Sequence, residues 1–259
     1  MELAVKVLCK AHLSAKFKGD LRPVFEEQRA MRITHGRKGF LPLHASWHDS
    51  DYLYLATEYY PNGDLMKEMR QWRKIPSSHA RFYAAEILLA LDALHKLGII
   101  HRDIKPQNLL FDREGHLSLA DFGLARVFDK PECESTDFPV QSLGTPHSSK
   151  LPHGFTNTGC GTLSYMAPEA HQHKPYSFSV DFWSLGVLLY EMLTGRLPYG
   201  DSKQSKGIPG AVISDELTFQ EFDRVNDVTQ DFLRSVMAKD PNARLTVAEM
   251  KAHPYFETM

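Results

Sequence analysis

The sequence predicts an α+β chain, strand-rich over residues 1–59 and mainly helical over residues 60–259. Three observations predict it. Short β-prone runs bounded by turn residues occupy residues 3–8 and 41–59, helical spacing begins at His79, and residues 180–193 form an apolar run of helical length.

Taken in order, Leu3 to Leu8 is a β-prone run and Phe25 to Ile33 a charged amphipathic helix. Residues 41–59 hold two further strands, broken at Asp49-Ser50-Asp51. From His79 to Leu97, Phe82, Ile87, Leu88, Leu91 and Leu94 fall on or near one helical face among good helix formers. Leu109 to Phe111 and Leu117 to Ala120 flank Asp112-Arg113-Glu114-Gly115, a spacing that predicts a small hairpin among helices. Residues 130–158, dense in Pro, Ser, Thr, Gly and His without a period, predict a long exposed loop. In the apolar run 180–193 the polar residues Asp181, Ser184 and Glu191 stand out on what reads as a buried helix. Thr229 to Met237 and Thr246 to His253 read as short helices, each opened by a threonine N-cap.

Composition narrows function by exclusion. A chain of 259 residues, 42% hydrophobic and 24% charged, fits a folded soluble protein of one large domain or two small lobes. The net charge of −2 supplies no global basic field, so no nucleic-acid partner is expected. Cys9, Cys133 and Cys160 show no paired metal-ligand spacing and fit a reducing compartment; an intracellular location, cytoplasmic or nuclear, is the expectation. No apolar run reaches the roughly 18 residues of a membrane span, so no membrane insertion is expected. His147, His153, His171 and His173 lack helical metal-site spacing with a carboxylate and read as solvated loop side chains.

The chemistry concentrates in His101-Arg102-Asp103-Ile104-Lys105-Pro106-Gln107-Asn108, followed by Asp121-Phe122-Gly123 and Ala167-Pro168-Glu169. A lone aspartate is most often a turn or cap residue, but three motifs in this order and spacing form a multi-part constraint. They resemble the catalytic loop, the metal-binding tripeptide and the closing tripeptide of the eukaryotic protein kinases. Thr158 to Glu169 and Ala80 to Glu86 are similar to the AGC group, which includes the cyclic-nucleotide-dependent kinases. The resemblance runs from Leu3 to Phe256 and implies a two-lobed kinase fold. Residues 1–59 would be a partial small lobe with the third strand, a Glu-bearing helix and the hinge strands. Residues 60–259 would be a large lobe with the catalytic loop, a long activation segment and substrate-binding helices.

The resemblance implies an ATP-dependent serine/threonine protein kinase using ATP and Mg²⁺. Phosphoryl transfer needs hard oxygen ligands for the metal and a carboxylate at the acceptor hydroxyl. Asn108 and Asp121 are the implied metal ligands, Asp103 the group that orients the hydroxyl and accepts its proton, and Lys105 the cation at the transferred phosphate. Lys6, in Leu3-Ala4-Val5-Lys6, resembles the lysine that meets the α- and β-phosphates; its helix partner would be Glu27, with Glu26 as the alternative. Thr57 falls at the gatekeeper position, and Glu58 begins the hinge that would meet adenine. Ala4 and Leu110 resemble the adenine sandwich or, without the family, simply core. Asp64 reads as a ribose contact or as a turn aspartate.

Thr158 falls where the AGC group is phosphorylated, by an upstream activating kinase, and Arg102 would grip that phosphate; the alternative is an ordinary loop threonine. Thr162 would bridge Asp103 and Lys105. Asp181 is expected to accept backbone N–H groups of the catalytic loop, and Glu169 to pair with Arg244.

Departures from the family pattern qualify the reading. The first two strands and their glycine-rich turn would precede Lys6, so the chain is expected to begin part-way through the small lobe. That leaves a second reading, a catalytically weak or silent binding scaffold. Asp121 to Glu169 spans 49 positions, longer than the family usually needs, and the excess reads as an autoinhibitory or docking insert. Gln107 replaces an acidic residue of the basophilic members, with Glu191 as a second contact for a basic substrate. A small-molecule kinase is disfavoured by Ala167-Pro168-Glu169 and the helix around Asp181.

Overall fold

Alternation of small and branched residues starts the fold. In the computed structural model, which describes residues 2–16, 18–19, 22–128, 154–200 and 207–257, β1 (Leu3–Cys9), β2 (Leu43–His48) and β3 (Tyr52–Glu58) form an antiparallel sheet in the order β1-β3-β2. Ala4 pairs with Thr57 and Lys6 with Leu55. The period of two leaves Leu3, Val5 and Val7 exposed on the outer side while Ala4 and Lys6 line the inner cleft. A short helix α1 (Lys10–Lys16), which the sequence reading did not foresee, follows β1.

Helix α2 (Arg22–Thr34) buries Val24, Glu27, Ala30, Met31 and Thr34, a stripe at helical spacing that carries one carboxylate into the interior. After β3 come α3 (Leu65–Trp72) and α4 (Ser77–Lys96). On α4, Ile87, Leu88, Leu91 and Leu94 are buried as expected, but Phe82 is exposed and Tyr83 takes the inward place, its ring edge-on to Phe111.

Two small ladders follow: β4 (Ile99–Ile100) with β7 (Arg126–Val127), and the anticipated hairpin β5 (Leu109–Phe111) with β6 (Leu117–Leu119). Asp112 makes the hairpin turn by accepting the N–H groups of Glu114 and His116 at 3.0 and 2.8 Å. Of the long loop expected at 130–158, residues 130–153 lie outside the described residues, as do Cys133, His147 and His153.

The helical part is completed by α5 (Pro168–His171), α6 (Ser179–Thr194), α7 (Gly207–Ser214), α8 (Asp227–Val236) and α9 (Val247–Ala252). Helix α6 is apolar nearly all round and buried on every side, with Trp183, Leu185, Val187 and Leu188 wholly enclosed. The expected Thr229 cap is corrected: Asn226 caps α8, its side chain accepting the Thr229 N–H at 2.9 Å, and Thr229 lies inside the helix. Thr246 does cap α9, in a reciprocal box with Glu249. No helix among the described residues is long and apolar enough to cross a membrane.

Candidate active site

Between the sheet and the helical part lies a cleft of about 490 Å³, a size typical of small-molecule sites. Ala4, Lys6, Glu27, Leu55 and Thr57 line its sheet side, and Asn108, Leu110 and Asp121 its other side; Glu58, Tyr59 and Tyr60 close one end.

Three charges meet in the cleft. Lys6 Nζ lies 2.6 Å from Glu27 Oε1 and 2.9 Å from Asp121 Oδ1. Burial works against the ammonium, but the two carboxylates outweigh it and hold the Lys6 pKa above its ordinary value. For Asp121, burial pushes the carboxyl up, and the Lys6 charge and hydrogen bond bring it below the usual range. Glu27, not Glu26, reaches Lys6. Glu26 instead accepts from Arg126 at 3.0 Å and from the Val127 N–H at 3.1 Å, tying α2 to β7.

Residues 101–108 form a loop laid over the first turn of α6. Asp181, wholly buried, accepts the N–H groups of His101 at 2.9 Å and Arg102 at 2.8 Å, and His95 Nε2 lies 2.9 Å away. Burial pushes this carboxyl up, yet the His95 contact and the His101 contributions hold it below the ordinary value. Arg102 sits at φ 68° and Asp121 at φ 57°, left-handed conformations that non-glycine residues keep only where surroundings impose them.

Asp103 is the hub. Its Oδ1 accepts from Thr162 N–H at 3.1 Å and Thr162 Oγ1 at 2.9 Å; its Oδ2 faces Lys105 Nζ at 2.6 Å and accepts from Asn108 Nδ2 at 3.1 Å. Lys105 also donates to Thr162 Oγ1 at 3.0 Å, so the Thr162 hydroxyl joins acid and base. Gly161 makes this approach possible, because at φ 112° a Cβ there would stand 2.7 Å from the Arg102 carbonyl oxygen.

The donor set suits a hard divalent cation. The Asn108 amide spends Nδ2 on the Asp103 carbonyl and carboxylate, which turns its oxygen into the available ligand, and Asp121 adds a carboxylate. Two protein oxygens are what Mg²⁺ uses when phosphates and water complete its shell. No group of three or more His, Cys, Asp or Glu side chains among the described residues converges on a metal position.

Other sequence-predicted residues are placed as follows. Arg244 grips Glu169 with two parallel bonds of 2.6 and 2.7 Å, both side chains buried. Tyr165 donates to Glu191 at 2.5 Å, and burial raises the Glu191 pKa. Asp64 Oδ1 accepts the Lys67 N–H at 2.8 Å as N-cap of α3, the local role the sequence also allows. Arg102 donates to the carbonyls of Leu124 and Ala125, while the Thr158 hydroxyl meets Thr156 Oγ1 at 3.3 Å. The sequence reading missed His95 and Tyr176; the one available signal was a histidine in the last turn of a helix, where a cation is favoured.

Against known proteins, the protein kinase domain family matches residues 1–256, and the chain belongs to that family. It is 34% identical to the serine/threonine protein kinase ypkA of Aspergillus fumigatus, over 98% of this chain and 36% of that protein. Protein kinase C zeta type of Oryctolagus cuniculus is 33% identical over 93% of this chain and 39% of its own length. For the human ribosomal protein S6 kinase alpha-2 the figures are 34%, 99% and 32%. The last two are AGC-type kinases, the group that Thr158 to Glu169 resembles. The chain therefore spans about a third of the length of these curated relatives. Members of the family use ATP with a divalent metal ion and act on proteins.

Proposed function

We propose that the chain transfers the γ-phosphate of ATP to serine or threonine hydroxyls of a protein. The observation that carries this reading is that the Lys6-Glu27-Asp121 triad and Asn108 line one cleft, and Asn108 is bonded to Asp103 in the network that also holds Lys105 and Thr162. Lys6, fixed by Glu27, binds the α- and β-phosphates. Asn108 and Asp121 hold Mg²⁺, which when bound neutralises charge on the phosphate oxygens. Asp103, oriented by the bonds it accepts from Thr162, takes the substrate hydroxyl proton, and Lys105 meets charge on the transferred group. Ala4, Leu110 and Thr57 shape the adenine slot, and Glu58 to Tyr60 supply its backbone contacts. In this reading residues 1–59 and 60–259 are two lobes that meet at the hinge.

The test is phosphate transfer from labelled ATP with Mg²⁺ to a generic Ser/Thr protein, with Asp121→Ala and Lys6→Met for comparison. Transfer should fall by about 10²-fold or more in each variant, the scale of losing a charge that stabilises the transition state. Equal rates in all three proteins, or no transfer by any of them, would reject the reading in favour of a binding role.

A further inference from the structure

The segment that carries Thr162 is held from behind by residues 171–176, which the chemistry above leaves unused. Tyr176 and Thr156 exchange both backbone hydrogen bonds, at 2.9 and 2.8 Å. The Tyr176 hydroxyl donates to the Thr158 carbonyl at 2.5 Å and faces both the Arg102 guanidinium and Cys160 Sγ, the latter at 4.0 Å. Tyr176 is buried, so water does not compete for these contacts. The His173 ring fills the space beside Gly159: a Cβ on residue 159 would lie 2.6 Å from His173 Cε1. His171 Nε2 donates to the Leu163 carbonyl at 3.0 Å. Three side chains of one strap thus hold the segment on both sides of Thr162, at 158–159 and at 163.

A phosphate on a segment of this kind orders it by drawing an arginine onto a new charge. Here the same arginine is already joined to the segment. Arg102 reaches the Thr158 backbone through the Tyr176 hydroxyl, while its Nε and Nη2 hold Leu124 and Ala125 next to Asp121-Phe122-Gly123. We infer that residues 171–176 form a phosphate-independent clasp, in which Tyr176 and His173 are positioning residues that keep Thr162 on Asp103 without modification of Thr158. The inference rests on the phosphotransfer reading above. It identifies the regulation of that site as steric and hydrogen-bonded.

The test uses the full chain, with kcat and KM for ATP measured for wild type and for Tyr176→Phe, His173→Ala, Gly159→Ala and Thr158→Val. Tyr176→Phe should lower kcat about tenfold, the rate equivalent of one hydrogen bond, with KM for ATP unchanged and the thermal midpoint lowered by only a few degrees. Gly159→Ala should lose activity similarly and regain part of it when combined with His173→Ala, which empties the space the new methyl needs. Thr158→Val, which keeps the backbone carbonyl, should retain kcat within about twofold. Because the clasp acts through Thr162, Tyr176→Phe added to Thr162→Ala should have little further effect.

A second readout is independent of activity: the rate at which iodoacetamide alkylates Cys160, followed by peptide mass spectrometry, should rise several-fold in Tyr176→Phe and His173→Ala. Thr158→Val falling as far as Tyr176→Phe would overturn the clasp in favour of a phosphate on Thr158. Unchanged Cys160 alkylation in both strap variants would overturn it too. A wild type that transfers no phosphate while its Cys160 responds as stated would sink the phosphotransfer reading and leave the clasp standing.

Discussion

At the scale of single residues, Glu26 and Glu27 are chemically identical neighbours with opposite fates, decided by helix geometry. A step of one residue turns a side chain by about 100°, so Glu27 enters the buried stripe of α2 and meets Lys6, while Glu26 meets the Val127 N–H. Glu27→Gln removes the charge that fixes Lys6, and transfer should fall by about 10²-fold with weaker ATP binding. Glu26→Gln keeps an acceptor for Val127 and loses only a partly exposed pair with Arg126, so activity should stay within about threefold. Steady-state kinetics on the two variants decide the matter; equal losses would mean that α2 position, not Lys6 pairing, is what the site requires.

At the scale of elements, α6 is the platform: Asp181 in its first turn carries the loop 101–108, and Arg244 ties Glu169 to the same region, with Nη1 also donating to the Ser179 carbonyl at 3.2 Å. Glu169→Gln leaves the buried guanidinium without its charge partner and should cost about 3 kcal/mol or more of stability. Thr246→Ala opens only the exposed cap of α9 and should cost about 1 kcal/mol. Urea midpoints should rank the two in that order, and the reverse ranking would mean that the Glu169 pair is not what holds α5 down.

The same contrast explains what was legible in the sequence. Asp181 stood out because a charge on an apolar run demands donors, and Glu169 and Arg244 because the motifs set their places. Helix α1 was not legible, since Lys10 to Lys16 has no sustained apolar period. Neither was Tyr83, because Phe82 is the more apolar of two adjacent rings and only packing against Phe111 selects between them. The strap at 171–176 acts through a carbonyl and a missing Cβ, features that residue types do not announce. Asp64 is ambiguous for a related reason: the same aspartate suits a cap and a ribose contact, and only the fold supplies its cap bond to Lys67.

At the scale of the whole molecule, two buried groups set how stability depends on pH. His101 lies wholly buried; burial depresses its pKa although Asp181 and the Ala120 carbonyl pull the other way. Its geometry requires the neutral ring, because Nε2–H donates to the Ala120 carbonyl at 3.1 Å and Nδ1 accepts the Asp103 N–H at 3.3 Å. A second proton would set two N–H groups against each other beside Asp103. Well above pH 6.5 the ring is neutral in both folded and unfolded chains and contributes no pH dependence. As pH falls below that value the unfolded chain takes up a proton that the fold resists, so stability declines by up to about 1.4 kcal/mol per pH unit.

His171, also depressed by burial, adds a loss of the same sign, while the exposed His116, raised by Glu86, works the other way and is screened by solvent. Asp181 acts later: its depressed pKa makes its contribution complete above the ordinary carboxylate range, and the contribution is lost as pH falls through the folded value. Urea unfolding should therefore give a plateau above pH 7, a decline starting near 6.5 and a steeper one below about 4. His101→Phe, which keeps a ring against Phe122 but cannot titrate, should flatten the first decline even though its plateau is lower. A first decline of unchanged slope in that variant would assign the proton uptake to other histidines and remove the reason for holding the ring neutral beside Asp103.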